Sequence, residues 1–134
     1  MNRTRAAVPL VTSLAVLALT ALSTSADDGF AKWFKQFQSA VAKSNGEFVT
    51  DRAEFPMDWE YGQTRKIQAR AVLVGKFDFY FTDDIKKAVA SAKPERVPTG
   101  EYLITWKARG NEYSMYFKPA GASFALYALS EGPP

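Results

Sequence analysis

Along this chain the apolar positions first recur at a helical period and later at a period of two. Phe30, Trp33, Phe34, Phe37 and Val41 fall on one stripe of a 3.6-residue helix, with Lys32, Lys35, Gln36, Ser39 and Lys43 off it. Asp27 and Asp28 stand where an N-cap and a charge favourable to the helix dipole are wanted. Asn45-Gly46 supplies a left-handed residue to end the element, so a helix is predicted over 28–44. Large aromatics on one helical stripe read as core.

Glu47 to Glu54 predicts a short second helix, with Phe48, Val49 and Ala53 inward and Pro56 forbidding continuation. Met57, Trp59 and Tyr61 then alternate with Asp58 and Glu60. This predicts an edge strand whose acids form its wet face, a turn at Gly62-Gln63 and a returning strand over Thr64–Ile67. Residues 69–81 are open on pattern alone. Val72, Leu73, Phe77, Tyr80 and Phe81 fit a helix, whereas Phe77, Phe79 and Phe81 alternate and Val72 and Val74 favour a strand. Thr82-Asp83-Asp84 is an N-cap signal, and Ile85, Ala88, Val89 and Ala92 give the next amphipathic stripe. Lys86, Lys87 and Lys93 read as its solvated face, and Pro94 to Gly100 as a loop.

The last third has the period of strands. Tyr102, Ile104 and Trp106 share one face of the first, and Tyr113, Met115 and Phe117 one face of the next, with a turn at Arg109-Gly110-Asn111. A turn over 119–122 leads to a third strand, Ser123–Ser130, apolar on both faces and so central or covered on both sides. The tail from Glu131 to Pro134 is expected not to continue it. Such a meander needs a helical cover, and the aromatic stripe supplies one.

Composition changes this picture mainly by exclusion. The chain has neither Cys nor His, which removes thiol nucleophiles, disulfides, Ser-His-Asp triads and the usual zinc sites. No Asp-rich calcium loop or glycine-rich phosphate loop is present, so no metal and no cofactor is expected. A chain of 134 residues with 47% hydrophobic content suits one ordinary globular domain.

The N-terminus carries an address. Arg3 and Arg5 precede an apolar run from Ala6 to Leu22, and small residues Thr24 and Ala26 precede a predicted cut after Ala26. The run is interrupted and short for a membrane span; an uncleaved anchor is the alternative. Residues 1–26 are therefore expected to be a signal peptide, and 27–134 a single domain in the periplasm or outside the cell, with no stable membrane insertion after cleavage. Setting Arg3 and Arg5 aside leaves 15 basic against 14 acidic residues, which is no footprint for nucleic acid.

The run Phe30-Ala-Lys-Trp33-Phe34-Lys-Gln-Phe37, with Ala40-Val41, Phe48-Val49, Phe55-Pro56 and the segment from Phe77 to Val89, resembles small exported bacterial proteins of the NTF2-like (cystatin-like, cone-shaped) α+β superfamily. The resemblance covers most of residues 28–130 and rests on packing and capping positions. It implies N-terminal helices packed on a curved antiparallel sheet, with a conical pocket between them, and it tips residues 69–81 towards helix. Relatives use such a pocket to hold a small apolar molecule, to run a cofactor-free isomerase or cyclase, or not at all, binding proteins at their surface instead. No catalytic residue of the superfamily transfers to a position here.

Three functions follow as expectations. The first is a non-catalytic binding module for a small apolar ligand or an envelope protein, with Trp59, Tyr61, Tyr102, Trp106 and Tyr116 at the mouth of the pocket. The second is an enzyme with a carboxylate among Asp58, Glu60, Glu101 and Glu112 and a nearby Tyr. The third is an inhibitor or immunity-type interaction protein. The outer face of the sheet also allows a homodimer.

Overall fold

The computed structural model describes residues 29–134. The signal reading of residues 1–26 and the capping role of Asp27 and Asp28 lie outside the described residues. The chain divides into two units, residues 1–32 and 33–134. Of the first, residues 29–32 are described and helical.

The second unit is α+β. Its helix α1 (33–42) leads to α2 (Gly46–Asp51), a hairpin of β1 (Ala53–Tyr61) and β2 (Thr64–Ile67), and three helices, α3 (Arg70–Gly75), α4 (Phe77–Tyr80) and α5 (Asp83–Ser91). The strands β3 (Glu95–Arg96), β4 (Tyr102–Ala108), β5 (Asn111–Ala120) and β6 (Ser123–Gly132) complete it. All six strands form one sheet in the order β2-β1-β6-β5-β4-β3. The sheet is mixed rather than antiparallel, because β1 runs parallel to β6. No short turn joins that pair: the whole intervening chain connects them, so hairpin geometry does not dictate their direction.

Several boundaries move from their predicted places. Asn45 does not end α1; Ser44 takes the left-handed conformation with φ 55°, and the Asn45 amide reaches back to the Ala40 carbonyl at 2.8 Å. Asn45 instead caps α2, its side chain accepting from the Phe48 amide at 3.2 Å. Gly46 is needed for space, since a Cβ there would stand 3.1 Å from Phe77 Cβ. The second helix stops at Asp51, and β1 begins at Ala53 and carries Pro56. The β1–β6 register shifts between Ala53 and Asp58, an irregular stretch where a residue without an amide proton is tolerated. The strand is not at the edge, because β2 flanks it on one side and β6 on the other.

Residues 70–80 are helical, broken at Lys76 into two short pieces. The predicted loop after Pro94 contains β3, a two-residue edge strand paired to β4. The third meander strand is central and runs through Glu131 to Gly132. Lys86 is not simply solvated: its ammonium meets Ser44 Oγ and Asp78 Oδ1, both at 2.8 Å, tying α5 to α4 and the α1–α2 turn.

The α1 stripe packs as its spacing predicts. Trp33 and Phe37 stack at 5.5 Å, and Phe34 and Phe37 meet Phe117 of β5 edge-on at 5.6 and 5.2 Å. A second aromatic group joins the later helices to β1, with Phe77 on Phe81 at 4.6 Å and Phe81 against Trp59 at 5.0 Å. Met57, Ile104, Met115, Leu126 and Leu129 fill the sheet's inner face, and Ile85 and Val89 of α5 are buried with them. Burial on this scale is the main stabilising term of the unit.

Candidate functional site

The cross-strand register sorts the five aromatics predicted to line a pocket. Trp59, Tyr61, Tyr102 and Trp106 point to the inner face, whereas Tyr116 pairs with Leu103 and Ala128 on the outer face and meets Tyr127 at 5.9 Å. Trp59 is fully buried, its indole donating to the Tyr80 carbonyl at 3.3 Å, so it is core. Tyr102 lies at the start of β4, opposite Phe117 and against Phe124 at 5.8 Å. Only Tyr61 and Trp106 share a ring as neighbour.

What joins them is Tyr113, which lies directly across from Trp106 in the hairpin. The Tyr113 ring stacks on Trp106 at 5.7 Å and leans on Tyr61 at 5.2 Å, giving a row of three rings along the inner face. The row reaches the end of the sheet where β4 turns into β5. That turn is a two-residue loop with Arg109 at φ 56° and Gly110 at φ 78°, both left-handed, as a tight hairpin requires. It sets the Arg109 guanidinium 5.0 Å from the centre of the Tyr61 ring, a cation–π contact.

Polar partners surround the row. Tyr61 donates to Asp84 Oδ2 at 3.3 Å, in the first turn of α5. Tyr113 donates to Glu131 Oε2 at 2.6 Å, and Asn111 Nδ2 reaches the same oxygen at 3.3 Å. The Glu131 amide in turn donates to Glu60 Oε1 at 3.0 Å. Burial pushes the Tyr113 phenol above its usual range, and its bond to Glu131 adds to this. The phenol therefore stays neutral, and the carboxylate beside it is committed as an acceptor. Trp106 Nε1 differs: it is buried with no hydrogen-bond partner.

No protein family, curated protein or solved structure matches the chain.

The four acids considered for catalysis do not gather at a tyrosine in this row. Asp58 is exposed and pairs with Lys66 at 3.3 Å. Glu112 is exposed on the outer face. Glu60 serves the Glu131 amide, and Glu101 accepts a hydrogen bond from Tyr127. Burial first, and then this bond, push the Tyr127 phenol up to about 12. Among the described residues no three Asp or Glu side chains are grouped to hold a metal ion.

Sequence reasoning missed Tyr113, Arg109, Asp84 and Glu131 as parts of this cluster. The signal for Tyr113 was present, because a two-residue turn at 109–110 puts it opposite Trp106. The signal for Glu131 was hidden by the Gly-Pro-Pro that follows it, which suggested an end to the strand before that residue.

Proposed function

We propose that the protein is an exported, non-catalytic binding module of the NTF2-like α+β type, residues 1–26 serving as a cleaved export signal. Its ligand is a small, largely apolar molecule with one hydrogen-bond acceptor, held where Tyr61, Tyr113 and Trp106 meet. The observation that carries this reading is the Trp106 indole N–H, buried and without an acceptor on a ring that stacks on Tyr113. Such a donor costs about 1–3 kcal/mol while unsatisfied, and a ligand carbonyl or hydroxyl that reaches it recovers that cost on binding.

The element order supports the fold part of the reading: helices first, then a hairpin, further helices, and a meander that returns alongside the first strand. Register shifts within β1–β6 and β5–β6 bend the strands they interrupt, as a curved sheet requires. The non-catalytic part rests on the state of the tyrosines: among the described residues, the Tyr61, Tyr113 and Tyr127 hydroxyls donate hydrogen bonds to Asp84, Glu131 and Glu101. Each of these hydroxyls has one proton to donate, and it is already engaged within the chain.

Native mass spectrometry of the protein recovered from an exporting bacterial host tests the proposal. Wild type is expected to carry a small molecule that is lost on denaturation, and Trp106→Phe, which keeps a ring but removes the donor, to lose it. Equal occupancy in the two proteins, or none in wild type, contradicts the site. A denatured mass that retains residues 1–26 contradicts the cleaved signal independently.

A further inference from the structure

The β3 edge of the sheet is only partly closed. β3 pairs with β4 at two positions, Glu95 with Leu103 and Arg96 with Tyr102, and the Val97 amide donates to the Glu101 carbonyl at 2.9 Å. In an antiparallel ladder a residue's N–H and C=O point to the same side, and that side alternates along the strand. β4 keeps one register with β5 from Tyr102 to Ala108, so the alternation that turns Leu103 toward β3 also turns Thr105 and Lys107 that way. β3 does not reach them. Its register would set residues 93 and 91 opposite, but Ser91 closes α5, and Pro94 between α5 and β3 has no amide proton. Among the described residues the amides and carbonyls of Thr105 and Lys107 make no hydrogen bond to another element, and both residues are exposed.

The chemistry of the edge selects what closes it. An extended polypeptide repeats donors and acceptors at the strand's own spacing, so its backbone satisfies both N–H and both C=O groups at once. A second copy of this chain fits the lane badly. With its Lys107 opposite Thr105, its Arg109 would fall opposite Leu103, where Glu95 already sits. With its Lys107 opposite Lys107, two cations face each other and its Arg109 turn falls opposite Thr105. Side chains set the pattern of the incoming segment. Trp106 is half-buried on the inner face, whereas Thr105 and Lys107 are exposed on the outer face. The residue facing Trp106 is therefore apolar and its two neighbours polar.

We propose that the free edge of β4 at Thr105 and Lys107 takes up an extended segment of another polypeptide as an added strand, with an apolar residue beside Trp106. This edge uses backbone groups rather than the Trp106 indole N–H, so it stands apart from the small-molecule site.

The test pans a displayed library of short random peptides against the protein, and synthesises the enriched peptides for binding and amide exchange. They are expected to carry the polar–apolar–polar pattern and to slow exchange at the Thr105 and Lys107 amides, which exchange fast in the free protein. Lys107→Pro removes an outward N–H and leaves the bonds to β5 in place, as an edge position allows. Checked for an unchanged circular dichroism spectrum and melting temperature, it is expected to bind these peptides at least about fivefold more weakly. No enrichment, enriched peptides that bind Lys107→Pro as well as wild type, or binding that leaves the two amides unprotected each overturns the proposal. A dimer of the free protein that Lys107→Pro abolishes overturns it in favour of self-pairing. If Lys107→Pro does not fold, the peptide decides. N-methyl groups on alternate residues are expected to abolish binding in one phase and to be tolerated in the other, and equal effects in the two phases overturn the proposal.

Discussion

The Tyr113 hydroxyl donates to the Glu131 carboxylate across 2.6 Å, joining β5 to the end of β6. Tyr113 is buried, so its hydroxyl depends on this acceptor. Glu131→Ala leaves it without one and is expected to cost about 1–3 kcal/mol. Glu131→Gln keeps an acceptor oxygen and is expected to cost less. Urea denaturation of the two variants beside wild type measures the order.

Phe117 is fully buried and meets Phe34 and Phe37 edge-on at 5.6 and 5.2 Å. Phe117→Ala is expected to destabilise the unit by about 3–5 kcal/mol, through lost burial and the cavity left behind. The same urea experiment reads it.

Gly46→Ala sets two effects against each other. Alanine favours helix, but its Cβ would stand 3.1 Å from Phe77, which is itself stacked on Phe81. Phe77 has little room to yield, so a net loss of about 1–3 kcal/mol is expected. Combined with Phe77→Ala the loss is expected to be less than additive, because the clash is then gone.

Tyr127 gives a pH signature. Its phenol is raised from 10.0 to about 12, by burial first and then by its bond to Glu101. Folding favours the neutral form, so this contribution is complete below the unfolded value near 10 and is lost as pH rises through about 12. Tyr127→Phe is expected to flatten the fall in melting temperature across that window. An alkaline titration of tyrosinate absorbance is expected to lose a phenol that titrates near 12.

Much of this architecture could be read from side-chain periodicity. The stripe from Trp33 to Val41, the Thr82 cap and the alternation of Tyr102, Ile104 and Trp106 each depend on neighbours close in sequence. The reading failed where distant contacts decide. Gly46 opens α2 where a Cβ would crowd Phe77, a neighbour far along the chain that no local pattern records. β1 pairs parallel with β6, and no local pattern records the direction of a partner more than sixty residues away. In the candidate site, Tyr61 and Trp106 were legible as aromatics with polar tips. That Tyr113 and Glu131 join them depends on hairpin register and on β6 running past Ser130.

The central claim is that the Trp106 indole N–H awaits an acceptor from outside the chain. It is tested most directly by recording the three indole N–H signals of isotope-labelled protein while the small-molecule fraction of a host envelope extract is added. The account expects the Trp106 signal to move and its hydrogen exchange to slow, while Trp33 and Trp59, packed into the core, stay in place. Movement of the Trp33 or Trp59 signal with Trp106 unchanged would contradict it.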